Sequence, residues 1–278
     1  AMNPKATLIV TTYEMPRHLE LVCAGVLRQS VQDFEMVICD DGSGPETRKV
    51  IETCSRSFNE KFGRAVIHVW QEHAGFRKCR ILNEGVRRSS GETLIFLDGD
   101  CIPHRDFVRD HLEQREPGRY LAGRRVELGE KFSSHLSVEK VAKGLLDSPS
   151  FSLMWSGLTG DSEFTNRSLR FKNSWIRERL GMNRIPDLKG CNYSVSRKDL
   201  EAVNGFDEAY EGYGREDTDI ELRLQHLGLS IKSLKGLALQ YHVWHPRRSF
   251  TPANDNRLEE LKLSRRVRCQ SGLVKESN

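Results

Sequence analysis

Two aspartates separated by one glycine follow an apolar run, and their types and spacing suit metal chemistry. Asp98 and Asp100 flank Gly99 directly after residues 93–97. Residues i and i+2 at the end of a strand project to the same side, so both carboxylates can converge on one hard divalent cation, Mg²⁺ or Mn²⁺. Gly99 lets another backbone approach closely. A solvated turn that caps the strand is the alternative, but the position after an apolar run favours a metal site.

A second acidic pair, Asp40 and Asp41, also follows an apolar run, at 34–39. A carboxylate here can accept a hydrogen bond from N3–H of uracil, or it can close an Asx turn at a strand-to-helix junction. Thr11 and Tyr13 follow the first apolar run of the chain and would add polar and aromatic walls. Together these residues predict a small pocket of nucleotide dimensions.

The elements that must position these clusters are strands alternating with helices. An α/β fold with a doubly wound, mainly parallel, Rossmann-like sheet is therefore expected. Ligands of such sheets bind beyond the carboxyl ends of the strands, so the three clusters should meet at one edge. The predicted strands are 6–11, 34–39, 65–70 and 93–97, and the predicted helices are 17–29, 46–60 and 78–89.

The pattern is less regular from residue 129 onward and regains order at Gly190. Trp155 and Trp175 lie in the irregular stretch and are either a platform for stacking sugars or part of the core. A basic helix over 257–275 closes the chain, and it either contacts anionic lipid head groups of the inner membrane or is a solvated face. The other expected elements are strands at 193–195 and ending at 241–245, and helices at 197–203 and 215–227.

Composition limits the class of protein. The 278 residues carry 43 Lys and Arg against 39 Asp and Glu, and a net charge of +4 is too small to indicate a nucleic-acid partner. The seven cysteines show neither disulfide-framework nor zinc spacing, so a reduced, cytoplasmic protein is expected, associated with a membrane only through the basic helix. No apolar run is long enough for a membrane span, and the first residues lack the apolar stretch of a signal peptide.

The first half resembles the nucleotide-sugar-binding half of family 2 glycosyltransferases, which have the GT-A fold. The resemblance rests on residues 10–13, 37–43 and 96–100, and on 75–85, which is similar to the family's helix beside the donor diphosphate. Leu82 stands where many relatives have Arg, so Arg77 and Arg80 are alternative phosphate contacts. The donor-binding residues that the resemblance implies are Thr11, Tyr13, Asp40, Asp41, Arg77, Arg80 and Asp98.

The second half resembles the C-terminal part of β-1,4-galactosyltransferases and bacterial chondroitin polymerase, over 189–194, 205–208 and 212–217. Those proteins have Gly-Trp-Gly-Gly-Glu-Asp, where this chain has Tyr213 for Trp and Arg215 for the second Gly. The resemblance implies that Asp217 is the catalytic base and that Glu216 and Tyr213 contact the acceptor. It also implies a histidine ligand that joins Asp98 and Asp100 on the metal, with His242 preferred over His245; imidazole suits Mn²⁺ better than Mg²⁺.

Helical spacing independently places Asp217. Ile220, Leu224 and Leu227 follow it at +3, +7 and +10, so Asp217 begins a buried stripe that faces the sheet. The helix macrodipole stabilises an ionised carboxylate at this end, which is the form that a base needs. Asp219 projects elsewhere and is expected at the surface or as a capping group.

The expected function is that of an inverting, Mn²⁺- or Mg²⁺-dependent glycosyltransferase. It would move a sugar from a UDP-sugar to a saccharide or glycolipid acceptor, in bacterial surface polysaccharide or lipopolysaccharide-core synthesis as the resemblance implies. The expected division is a donor-binding half at 4–128, an acceptor-binding and catalytic-base half at 129–255, and a basic helix at 256–278. A sugar nucleotidyltransferase and a non-catalytic sugar-binding module are the alternatives.

Overall fold

A computed structural model describes residues 3–246 and 251–275, in which strands and helices alternate through the first half. The elements as far as β6 are β1 Ala6–Thr12, α1 Pro16–Val26, β2 Phe34–Asp40, α2 Pro45–Phe62, β3 Ile67–Trp70, α3 Lys78–Arg88, β4 Thr93–Asp98, β5 Cys101–Pro103, α4 Phe107–Glu113 and β6 Arg119–Ala122. The remaining elements are β7 Val126–Glu127, α5 Glu130–Ser134, α6 Val138–Ala142, α7 Phe151–Leu158, a 3-10 turn Thr165–Ser168, α8 Ser174–Arg179, β8 Asn192–Ser196, α9 Arg197–Ala202, α10 Glu216–His226, β9 Ser230–Ser233, β10 Gln240–His242 and α11 Ala253–Ser264.

Most of these strands form one sheet in the order β3-β2-β1-β4-β8-β6-β9. β1 pairs in parallel with β2 and β4, and β2 pairs in parallel with β3, which confirms the predicted doubly wound sheet. β8 lies antiparallel between β4 and β6. The boundary expected between 128 and 129 thus divides the chain but not this sheet.

A smaller sheet, in the order β5-β10-β7, lies beside the end of β4. β10 runs antiparallel to β5 and parallel to β7, so residues from three distant parts of the chain become neighbours. His242 is paired with Cys101 and with Glu127 in this register. The residue that follows Asp98-Gly99-Asp100 is therefore held against the strand that carries His242.

The core lies on both faces of the main sheet, because alternate residues of a buried strand point to opposite sides. On β1, Leu8 and Val10 belong to the apolar cluster that includes α1 and α2. Ile9 belongs to the opposite cluster, which includes α3, α9 and α10. Helices on both faces fix the carboxyl ends of β1, β2 and β4 at one edge.

The C-terminal region differs from the prediction of one long helix over 256–278. α11 begins at Ala253 and ends at Ser264, because Arg265 adopts the left-handed conformation with φ of 52°. Beyond it the chain packs on Asn204, whose side-chain amide donates to the carbonyls of Cys269 and Val274. Residues 276–278 of the predicted helix lie outside the described residues.

The tryptophans of the irregular stretch are not part of the core. Trp155 is 57% exposed and Trp175 is 60% exposed, so the core alternative for them is wrong. None of the helices within 3–246 and 251–275 combines the length and the apolar character that crossing a bilayer requires.

Candidate active site

A cleft of about 660 Å³ opens at the carboxyl ends of β1, β2 and β4. Its walls include all three polar clusters that the sequence placed at one edge of the sheet, together with residues of β7, of the turn after α7 and of the loop after β10. The predicted residues that line it are Thr11, Tyr13, Asp41, Asp98, Asp100, Tyr213 and His242.

The backbone at the end of β4 is fixed by its contact with β1. Gly99 donates its amide hydrogen to the carbonyl of Thr11 at 2.7 Å, and a Cβ on Gly99 would lie 2.4 Å from that oxygen. Any side chain there would force the two strands apart. Glycine at the centre of the motif thus lets the aspartate pair leave the sheet beside β1.

Asp98 forms contacts that differ from those of Asp100. Its Oδ1 accepts hydrogen bonds from Thr11 Oγ1 at 3.0 Å and from Lys78 Nζ at 2.7 Å. Burial opposes the charged form of Lys78, but Asp98, Glu216 and Asp217 together raise the pKa of this lysine. Lys78 is therefore a charged ammonium among three carboxylates.

Asp100 lies instead with two histidines. Its Oδ2 is 3.2 Å from Nε2 of His245 and 3.7 Å from Nε2 of His242, and the two nitrogens are 3.1 Å apart. The candidate ligand atoms of these residues all lie within 4.8 Å of one another. One carboxylate oxygen and two imidazole nitrogens form a donor set that fits Mn²⁺. The structure brings both candidate histidines to this cluster, whereas Asp98 is held outside it by Lys78.

Glu127 orients His242 from the side opposite Asp100. Nδ1 of His242 lies 2.7 Å from Glu127 Oε2. Burial lowers the pKa of His242, but hydrogen bonds to Asp100 and Glu127 outweigh burial and raise it to about 9. Burial likewise raises the pKa of Glu127, and His242 with Arg125 outweighs it and lowers that pKa to about 2. Such outer partners fix the orientation of a ligating histidine.

The two aspartates after β2 have different roles in the fold. The Asp40 carboxylate accepts a hydrogen bond from the amide of Ser43 at 2.8 Å and lies 3.1 Å from Nε2 of His68, so it closes the turn. Asp41 faces the cleft, where its carboxylate accepts from Gln71 Nε2 at 2.5 Å. Asp40 thus has the turn-closing role, and Asp41 is the member of the pair that lines the cleft.

Tyr13 forms an aromatic wall of the same pocket. Its ring stacks on that of His73 with centroids 4.1 Å apart and an interplanar angle of 11°. Gly42 lets the backbone of His73 approach, because a Cβ on Gly42 would lie 2.5 Å from the backbone nitrogen of His73. The φ of Gly42 is 95°, which also favours glycine. The Tyr13 ring and the Asp41 carboxylate therefore line one recess, which is suited to a planar nucleotide base.

Neither arginine proposed for phosphate contact lines the cleft. The guanidinium of Arg77 donates to the carbonyl of Glu72, and Arg80 is exposed on α3. The cleft receives Lys78 instead. Sequence reasoning missed this lysine, although a signal was present: Lys78 is four residues before Leu82 and shares its helical face, which is buried.

The start of α10 brings Asp217 and Glu216 close to Lys78, although neither carboxylate is among the residues that line the cleft. Asp217 Oδ2 accepts from the amide of Gly190 at 3.3 Å, and Glu216 Oε2 accepts from the amide of Gly214 at 2.9 Å. A Cβ on Gly190 would lie 3.5 Å from Cβ of Asp217 and 3.8 Å from Nζ of Lys78. The two carboxylates thus approach the lysine that binds Asp98. Burial, reinforced by Asp217 and opposed by Lys78, raises the pKa of Glu216.

Asp219 is buried, so its expected place at the surface is wrong. It is 1% exposed, and its Oδ2 accepts from Nη2 of Arg223 at 2.6 Å and from Nε at 2.8 Å. Arg223 also donates to the carbonyls of Val203 and Gly205. The pair therefore joins the first turns of α10 to the loop before Phe206, and so positions the helix that carries Asp217.

Replacing Asp219 with Asn is expected to lower the free energy of unfolding by ~3–5 kcal/mol, because it leaves the Arg223 charge buried without its partner. Urea unfolding followed by circular dichroism measures the change. The matched control is Asp255→Asn, which breaks the half-exposed ion pair with Arg215 and should cost less than ~1 kcal/mol. Equal losses in the two variants would contradict a stabilising role for the buried pair.

Two family models match the chain. The model of glycosyl transferase family 2 matches residues 7–174, and a model described as the N-terminal domain of galactosyltransferase matches residues 178–246. The two matches meet within α8.

Curated relatives are longer proteins. The chain is 23% identical over 248 residues to a chondroitin synthase of Escherichia coli, covering 86% of this chain and 35% of that protein. It is 26% identical over 243 residues to a validoxylamine A glucosyltransferase of Streptomyces hygroscopicus subsp. jinggangensis, covering 81% and 52%. The chain therefore spans about a third of the length of the first relative and about half of the second.

Solved structures share the fold. A mannosyltransferase of Pyrobaculum calidifontis in complex with GDP-Man and Mn²⁺ matches with a TM-score of 0.58 and 17% identity, over 90% of this chain and 59% of that one. GalNAc-T7 with UDP, GalNAc and Mn²⁺ matches with a TM-score of 0.64 and 14% identity, over 93% and 48%. These similarities confirm the expected GT-A fold.

Proposed function

The chain belongs to glycosyl transferase family 2, and from that premise we propose that it is an inverting, metal-dependent glycosyltransferase that uses a UDP-sugar donor and a saccharide acceptor. One observation carries the proposal. Lys78, which lines the cleft, binds Asp98 at 2.7 Å and approaches Asp217 beside Gly190, so this lysine lies between the end of β4 and the start of α10. A donor held at the end of β4 would present its sugar to a base at the start of α10.

The metal would be held by Asp100, His242 and His245, with Asp98 as a further candidate ligand beside Lys78. A bound Mn²⁺ or Mg²⁺ would neutralise charge that develops on the departing diphosphate. Lys78 supplies a second positive charge on the same side of the cleft. Two solved structures of this fold are complexes with Mn²⁺, which supports a divalent cation here.

Asp217 would remove the proton from an acceptor hydroxyl, whose oxygen attacks the anomeric carbon from the face opposite the leaving UDP. This displacement converts an α-linked donor into a β-linked product. Glu216 and Tyr213 would hold the acceptor. Tyr213 is 44% exposed at the rim of the cleft, and its ring packs edge to face on Phe76 at 5.9 Å.

A saccharide acceptor in bacterial surface polysaccharide or lipopolysaccharide-core synthesis fits the relatives, one of which is a chondroitin synthase. The test is to incubate the protein with UDP-sugars, Mn²⁺ and oligosaccharide acceptors, to measure UDP release, and to read the new linkage by NMR. Release of diphosphate from UTP and a sugar phosphate would indicate a nucleotidyltransferase instead. Binding without any turnover would indicate a sugar-binding module.

Uridine diphosphate is expected to bind more tightly than GDP or ADP, because the Asp41 carboxylate can accept N3–H of uracil beside the Tyr13 ring. Calorimetry in Mn²⁺ measures the preference. Asp41→Asn should reduce UDP affinity by about tenfold or more, the value of one hydrogen bond to a charged group. Tighter binding of GDP would contradict the assignment. Comparison with dTDP is also required, since thymine presents the same N3–H.

A further inference from the structure

Helix α7 buries Leu153 in the core but also carries large apolar side chains on its exposed side, where an ordinary surface helix is polar. Phe151 and Leu158 are each 82% exposed, and Trp155 between them is 57% exposed. Their spacing of four and three residues places them on one side, here called the apolar face of α7. Ser156 points inward, and its hydroxyl forms hydrogen bonds with the side chains of Ser162 and Asp161. Three large apolar side chains on one exposed face mark a binding surface.

The segment around this face lacks charge altogether. Residues 148–160 contain no Asp, Glu, Lys or Arg, although 29% of the chain is charged. Both ends of the segment are held firmly: Asp147 is ion-paired with Arg28, and Asp161 accepts hydrogen bonds from the amides of Lys131 and Phe132. The apolar face is therefore presented on a fixed support.

This support adjoins the active-site cleft. Asp161 and Glu163, directly after α7, line the cleft, and Glu163 pairs with Glu127 in an isolated bridge. Gly129 packs against Asp161 so closely that a Cβ would lie 2.1 Å from its carbonyl oxygen. A surface that engages the apolar face of α7 is thus brought beside the wall of the cleft that carries Glu127.

We infer that the apolar face of α7 binds the surface of a lipid bilayer. Phe, Trp and Leu on a short uncharged helix are the side chains that enter the headgroup and acyl boundary. A second copy of the chain fits less well, because three side chains at these exposures offer roughly 400 Å², about half of the ~800 Å² per partner in a stable interface.

Charge on the flanking segments favours anionic lipid. The exposed cations at 138–184 are Lys140, Lys143, Lys172, Arg179 and Arg184, and the exposed acids there are Glu139, Glu163 and Glu178. Five exposed cations against three exposed acids give these segments a net positive charge, which adds attraction to an anionic leaflet. The basic C-terminal helix is a weaker candidate for this contact, since Leu263 is the large exposed apolar side chain that the described part of α11 offers.

The inference rests on the proposed function where it names the acceptor class: a saccharide carried on a lipid and presented at the bilayer. The bilayer contact itself is tested without donor or acceptor. The protein is sedimented with vesicles of phosphatidylcholine alone and of phosphatidylcholine with phosphatidylglycerol. Binding to both is expected, tighter to the anionic vesicles, and Phe151→Ser/Trp155→Ser/Leu158→Ser should weaken it by about tenfold or more.

Leu263→Ser is the matched control, because it removes an 86% exposed leucine from α11 and should leave vesicle binding unchanged. Thermal unfolding checks that the triple variant is folded, and UDP release with a water-soluble acceptor, which should be unaffected, reports the proposed function separately. Three outcomes would overturn the inference: no vesicle binding by the wild type, equal loss in Leu263→Ser, or a wild-type dimer in light scattering that the triple variant converts to monomer.

Discussion

Asp217→Asn is expected to lower kcat by ~10²–10⁴, the usual contribution of a general base. Asparagine preserves the size of the side chain and can still accept the hydrogen bond from the amide of Gly190, but it cannot take the acceptor proton. Donor affinity should be nearly unchanged, since the proposed partner of this carboxylate is the acceptor hydroxyl and not the diphosphate. Steady-state kinetics and UDP calorimetry separate the two quantities.

Glu216→Gln is the neighbouring control. It should raise the acceptor KM with a smaller change in kcat, because the proposed role of Glu216 is to bind the acceptor. Asp219→Asn is expected to change stability and not the chemical step. Its activity is therefore to be compared at a temperature where the variant is fully folded. Transfer by Asp217→Asn within a few-fold of the wild-type rate would place the base elsewhere.

Asp100→Ala is expected to abolish measurable transfer and the part of UDP affinity that depends on Mn²⁺, because it removes the only carboxylate of the three-residue cluster that the described residues form. Circular dichroism should show that the fold survives. Chelation of the wild-type protein with EDTA should have the same effect on transfer. Full activity in EDTA would contradict metal dependence.

Variants of His242 and His245 would show which of the two histidines is the principal metal ligand. His242→Ala and His245→Ala should each raise the Mn²⁺ concentration needed for half-maximal activity without changing donor preference. His242→Ala should have the larger effect, because Glu127 orients that ring as well. His226→Ala, at the far end of α10, is the control and should leave the titration unchanged. A larger effect of His245→Ala would assign the principal histidine ligand to that residue.

The parts of the fold that sequence could predict are those set by local pattern. The strands that become β1, β2 and β4 were predicted within one residue of their observed ends, because uninterrupted apolar runs bounded by turn residues have few alternatives. The convergence of Asp41, Asp98 and Thr11 followed from the parallel order of these strands. The side-chain partners of each residue did not follow from it.

What could not be predicted depends on contacts between distant segments. Asp219 and Arg223 are spaced like a surface ion pair, and they are buried because α11 and the chain after it cover a second side of α10. The position of Glu127 beside His242 depends on the pairing of β7 with β10, which no motif marks. The end of α11 at Ser264 likewise reflects the packing of the following residues on Asn204.

The insertion of β8 between β4 and β6 has a consequence for the expression of fragments of this chain. A fragment that stops at residue 128 would lack β8 and β9, leaving the hydrogen-bonding groups of β4 without a partner on one side and β6 without any neighbour in this sheet. Open edges of this kind recruit other chains and aggregate. The portions before and after residue 128 therefore form one cooperative unit, and separately expressed fragments would have to be produced together to recover it.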